Sequence, residues 1–110
     1  MIVEKIEIKK YESSLNGELR FVDAEMSKDD CEEMISRLVS WKLGRLTPTR
    51  HFEMVYSNEK KEAEIDVYVS VPLPESSKSP VDIVKYVFNK LIEFLDLYEK
   101  VFEDIYGIKR

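Results

Sequence analysis

The chain contains one histidine, His51, and one cysteine, Cys31. A Cys–His nucleophile pair would need these two side chains to meet. Cys31 belongs instead to an apolar row with Met34, Ile35, Leu38 and Val39 at helical spacing, where a thiol serves as a small buried hydrophobe. Asp29, Asp30, Glu32 and Glu33 surround it and oppose thiolate formation. The sequence has no Gly-rich phosphate loop, dinucleotide fingerprint, zinc-ligand spacing or nucleophile elbow. Its three glycines each suit a turn or a helix cap. No catalytic residue and no cofactor is therefore assigned, and the chain reads as a non-enzyme.

Three other patterns bear on function. The first is acidic. If the alternating segments around Phe52–Tyr56 and Ala63–Val71 form a hairpin, Glu53 faces Asp66, His51 faces Tyr68, and Glu64 lies nearby. Like charges across a strand pair repel. A divalent cation would relieve them, with His51 as an acceptable ligand. Lys60 and Lys61 stand close by, so an ordinary solvated face also explains the pattern and no metal site is assigned.

The second pattern is basic and aromatic. From Met34 to Phe52 there is no acid, while Arg37, Trp41, Lys42, Arg45, Arg50, His51 and Phe52 are present. Cations that track phosphates, interleaved with rings that stack on bases, are what single-stranded nucleic acid requires. Segment 37–52 thus supports an alternative reading as a single-stranded nucleic-acid binder, with Gly44–Thr49 as a small anion-binding loop. The competing reading buries Trp41 and assigns the cations to the end of a helix. A net charge of −5 argues against indiscriminate coating of nucleic acid.

The third pattern is an apolar seam. Val84, Phe88, Leu91, Leu95, Tyr98, Phe102 and Ile105 recur at alternating steps of four and three, flanked by Val87, Phe94 and Val101. Residues 80–106 in a helix span about 40 Å. A compact domain of this size has a diameter in the mid-thirties, roughly, of ångströms. The C-terminal turns are accordingly expected to reach past the core. Leu91, Leu95, Tyr98, Val101, Phe102 and Ile105 are the expected homodimer interface, since soluble monomers seldom expose such a patch.

The elements that must carry these residues are legible to different degrees. Ile2–Tyr11 has the character of a strand, followed by the hairpin signal Asn16-Gly17 and by Leu19, Phe21 and Val22. Strict pairing about Asn16-Gly17 sets Ile8 against Glu25 and Glu12 against Phe21. A bulge or longer loop is therefore expected. Ser27 with Asp30 opens a helix that closes near Gly44 and Pro48. In the second hairpin, a loop at Asn58–Lys61 sets Tyr56 against Ala63, Met54 against Ile65 and Phe52 against Val67. Pro72, Pro74 and Glu75–Ser79 form a linker. Ser79 and Pro80 then start the last helix, and Gly107 ends it.

The 110 residues, 44% hydrophobic and 35% charged, fit one domain spanning residues 1–110. No apolar run is long enough for a membrane span, and the mixed charges of MIVEKIEIKKYE do not resemble a signal peptide. One cysteine allows no internal disulfide, which suits the cytoplasm. The absence of Gln, with few Asn and many Lys and Glu, is a thermophile-like bias. The fold expected is α+β: a four-stranded antiparallel sheet with two helices in the order ββαββα, the C-terminal helix (80–106) being long. The function expected is a small non-catalytic interaction module that self-associates through that helix and engages a further protein partner, with no membrane role.

Overall fold

A computed structural model describes residues 1–42, 49–73 and 79–110. Strands β1 (Ile2–Lys10) and β2 (Ser14–Asp23) are followed by a 3-10 turn (Lys28–Asp30) and helix α1 (Cys31–Lys42). Strands β3 (Thr49–Ser57) and β4 (Glu62–Pro72) then lead to helix α2 (Pro80–Tyr106). All strands are antiparallel, in the spatial order β1-β2-β4-β3. The fold is α+β with the order ββαββα. The expected helix stop at Gly44 and Pro48, residue Arg45, all of the Gly44–Thr49 loop but Thr49, and Pro74 with most of the Glu75–Ser79 linker lie outside the described residues. No helix among the described residues is long and apolar enough to cross a membrane.

The β3–β4 hairpin follows from strict alternation. Phe52 pairs with Val67, Met54 with Ile65 and Tyr56 with Ala63, the register that the apolar pattern requires. The tip is closed by Lys61 N–H donating to Ser57 O at 2.8 Å, with Lys61 at φ 58°.

The β1–β2 hairpin departs from expectation. Its turn lies at Glu12–Ser13, and Asn16-Gly17 sits inside β2. This register pairs Ile6 with Leu19 and Ile8 with Gly17, so apolar residues of β1 meet the core-facing side of β2. Gly17 is needed for a different reason than a turn. A Cβ there would lie 2.4 Å from Val87 Cγ1 and 3.2 Å from Leu91 Cδ1, so the missing side chain is what lets α2 settle onto the sheet. The expected bulge is present, between Val3 and Lys5.

Both helices cover one face of the sheet, α2 over β2 and β4 and α1 over β3. The core between them is aromatic at its centre. Phe94 meets Trp41 at 5.0 Å, Phe52 at 5.2 Å and Phe21 at 6.2 Å between ring centroids. Each such pair adds about 1 kcal/mol beyond the area it buries. Ser79 caps α2 by accepting from Val81 N–H at 3.3 Å, Pro80 occupies the first turn, and Gly107 closes the helix in the left-handed conformation at φ 66°.

The length argument for α2 requires correction. The molecule is elongated, 46 × 26 × 21 Å, not spherical. An 11-residue β4 extends about 36 Å, so a strand beneath the helix is nearly as long as the helix itself. The C-terminal turns therefore remain over their own core. Tyr98 is 0% and Phe102 3% exposed.

Candidate docking surface

The residues assigned to a dimer interface separate into two groups. Leu91, Tyr98, Val101 and Phe102 are buried within the chain, and Leu95 and Ile105 are half-buried against the same core. The buried four are committed to folding and offer no free face. The apolar residues that α2 leaves exposed are in its N-terminal half: Val81, Val84, Tyr86 and Phe88. Helical rotation assigns their directions. Val87 and Leu91 point down at Gly17. On one flank, Glu93 meets Arg50 of β3 at 3.5 Å and Lys90 at 3.0 Å, and Lys90 lies 5.4 Å from the ring of Tyr86, so this flank faces the β3 side and its charges are paired. Val84 and Phe88, with half-buried Leu95, lie on the other flank, toward β1.

Strand β1 continues this apolar surface. Val3, Ile6 and Ile8 pair with core-facing residues of β2 and so share the helix-covered side of the sheet. Ile6 is nevertheless 44% exposed and Val3 46%, because α2 stands over β2 and β4 rather than over β1. Phe88, at 43%, is on the helix flank turned toward the same strand, level with Ile8. The result is an apolar strip along one side of the molecule, formed by one helix flank and the edge strand. Clustered exposed apolar side chains of this kind mark interaction surfaces more often than scattered ones do. The sequence signal for it was present in the seam, at Val84 and Phe88. Ile6 and Val3 were read only as part of the strand Ile2–Tyr11.

The described side chains of the basic–aromatic segment do not converge on one surface. Trp41 is 3% exposed and packed edge-on against Phe94, and Phe52 is buried beside the same ring, so neither offers a face to a base. The Arg50 guanidinium lies over the Trp41 ring at 5.4 Å. Arg37 pairs with Glu33 at 2.8 Å along α1. His51 is on the opposite face of the sheet, stacked on Tyr68 at 4.7 Å. Lys42 lies at the end of α1, next to the undescribed segment.

On the open sheet face, Glu53 does face Asp66 and His51 does face Tyr68. The relief of charge comes from a residue that sequence reasoning missed. Arg20 of β2 reaches across to Asp66 at 3.1 Å, Glu64 at 3.0 Å and Glu4 at 3.2 Å. Burial pushes the Asp66 carboxyl above its ordinary value, with Arg20 pulling the other way and Glu18, Glu53 and Glu64 reinforcing the rise. Among the described residues no group of three His, Cys, Asp or Glu is arranged to hold a metal ion. Cys31 is buried, its Sγ 3.4 Å from Ser27 O, and burial raises its thiol pKa, followed by the nearby charges of Asp30 and Asp23.

A second cluster has no counterpart in the sequence reading. Asp23, 0% exposed, accepts from both terminal nitrogens of Arg110 at 2.8 and 2.7 Å, from Tyr98 Oη at 2.7 Å and from Glu25 N–H at 3.1 Å. The same guanidinium bonds Glu99 and lies 3.6 Å over the Phe102 ring. All its parts hold the end of α2 to the end of β2, so it is a structural clamp.

Compared with known proteins, the chain matches no family model, and no curated protein or solved structure is significantly similar to it.

Proposed function

We propose that the chain is a small non-catalytic interaction module that self-associates through the strip formed by the N-terminal half of α2 and the edge strand β1. The observation that carries this reading is the exposure of Phe88, Val84, Ile6 and Val3 on one side of the molecule, next to a strand that has no outer partner among the described residues. Fully burying a Phe side chain is worth about 1.5–3 kcal/mol, and covering the 43% of Phe88 that remains exposed recovers a share of it, which favours association with a matching surface. A strip of this kind can pair with itself about a two-fold axis, which is the commonest symmetry of soluble assemblies.

The test is the mass in solution as a function of concentration, by light scattering after size-exclusion chromatography, for the wild type and Phe88→Asp. A wild type that shifts from monomer to dimer, and a folded Phe88→Asp that stays monomeric, supports the reading. A wild type that remains monomeric up to about millimolar protein, where association falls below about 4 kcal/mol, overturns it. The same holds for a Phe88→Asp that dimerises as well as the wild type.

A further inference from the structure

We propose that β1 of one chain pairs antiparallel with β1 of a second copy about a two-fold axis at Ile8, joining two four-stranded sheets into one of eight strands. This inference rests on the self-association reading and specifies how the two copies meet.

The edge is chosen by its surroundings. The sheet has two edges, β1 and β3. Helix α1 lies over β3, and the α2 flank on that side carries the Arg50–Glu93–Lys90 ion pairs and Tyr86, whereas α2 leaves β1 largely uncovered and presents Val84 and Phe88 toward it. Adding a strand at β1 extends the hydrogen-bonded ladder and covers apolar side chains in the same step. At β3 the corresponding side is covered by α1, with Phe52 buried and Met54 and Tyr56 half-buried, so a strand added there covers less exposed apolar surface.

The register follows from the charges. A two-fold axis perpendicular to the sheet keeps all helices on one side, so residues of β1 meet residues that point the same way. The bulge between Val3 and Lys5 leaves Lys5–Lys10 as the regular stretch. Centring the axis on Lys5, Glu7 or Lys9 sets a charge against its own copy, which costs stability. Centring on Ile6 sets Glu4 against Ile8, at the bulge and at the expense of the Glu4–Arg20 pair. Centring on Ile8 uses only regular strand. Ile8 meets Ile8, Glu7 meets Lys9 twice, and Ile6 lies under the aliphatic stem of Lys10. Charged residues on an edge strand discourage indiscriminate pairing; in this register Glu7, 3.0 Å from Lys9 of its own chain, gains the partner's lysine as well.

The helices agree with this placement. Ile8 pairs with Gly17, and Gly17 lies beneath Val87 and Leu91. Phe88 is the next residue round the helix toward β1, so an axis at Ile8 brings the two Phe88 side chains toward each other above the joined strands.

The test is charge exchange, read as the dimer dissociation constant by sedimentation equilibrium. Glu7→Lys and Lys9→Glu each turn two attractive pairs into two repulsive ones, and each is expected to weaken the dimer about tenfold. The double variant Glu7→Lys/Lys9→Glu restores both pairs and is expected to bind within about threefold of the wild type. Folding is retained in all three, checked by circular dichroism. The Glu7 and Lys9 side chains are 38% and 62% exposed, and the lysine introduced at position 7 faces Glu18 within its own chain. A double variant no stronger than the singles overturns the β1 pairing while leaving self-association standing. Rescue of Glu7→Lys by Lys5→Glu instead of Lys9→Glu overturns this register in favour of Ile6. A wild type with no measurable dimer overturns both the register and the reading beneath it.

Discussion

Replacing Arg110 by Ala is the perturbation whose size the geometry defines best. It removes two charge-assisted hydrogen bonds from Asp23, a carboxylate with 0% exposure, and leaves it with only Tyr98 Oη and the Glu25 N–H as donors. Truncating one partner of a buried charge pair costs about 2–5 kcal/mol. The Arg110 side chain is 15% exposed, so water can enter where it stood and the cost falls toward the lower end. Loss of the contact with the Phe102 ring adds about 0.5–1 kcal/mol. The more exposed Glu99 and Glu25 pairs add little. The expected loss at pH 7 is therefore about 3 kcal/mol.

The same variant has a signature in pH. In the native chain burial pushes the Asp23 carboxyl up, but Arg110, Tyr98 and the Glu25 N–H outweigh it and hold the group below its ordinary value. Its contribution is thus present above the ordinary carboxyl range, about pH 4, and is lost as pH falls through the depressed folded value. Without Arg110, its hydrogen bonds and charge no longer oppose burial and the carboxyl rises. The ionised carboxylate is then less well compensated at neutral pH, and protonation relieves that deficit. Both effects narrow the gap between the two proteins as pH falls from 7 toward 3. Urea unfolding followed by circular dichroism at pH 7, 5 and 3.5 measures it. A gap below about 1 kcal/mol at pH 7, or one that does not change with pH, would refute the reasoning.

Three further outcomes are expected. Gly17→Ala places a methyl group against Val87 Cγ1 and lowers stability by about 1–3 kcal/mol in urea unfolding. Adding Val87→Ala recovers less of it than the cavity costs if the helix can shift, and more if the clash is rigid, so the double-mutant coupling reads the stiffness of the contact. Arg20→Met leaves Glu64, Asp66 and Glu4 without their shared cation and costs about 1 kcal/mol at low salt, less in 1 M NaCl, measured the same way. Trp41, the only tryptophan, emits as a buried indole, and single-stranded oligonucleotides at low salt leave its fluorescence unchanged because no base reaches it.

The parts of the fold that were legible in the sequence are those in which one physical demand acts alone. In β3 and β4 alternation admits one register, and the structure has it. Ser79, Pro80 and Gly107 have single local uses, and each serves that use. Asn16-Gly17 was misread because glycine answers two demands, a turn or a close approach of backbone and helix, and only the packing of Val87 and Leu91 decides between them. The C-terminal half of α2 was misplaced because compactness was taken as spherical, whereas long strands stretch the core along the helix. Arg20 and Arg110 were invisible for another reason. Their partners Asp66 and Asp23 are distant in sequence, joined through sheet order and the end of α2, which no local pattern encodes. The docking strip was half legible. The seam pointed to α2, but the surface left over depends on which strand the helix does not cover.

Hydrogen exchange of the wild type at micromolar and near-millimolar concentration tests the docking strip most directly, because it reports where association occurs as well as whether it does. Exchange in β1 and in residues 81–88 is expected to slow at the higher concentration, with β3 and the C-terminal half of α2 unchanged. Uniform rates at both concentrations, or added protection confined to β3, would contradict the account.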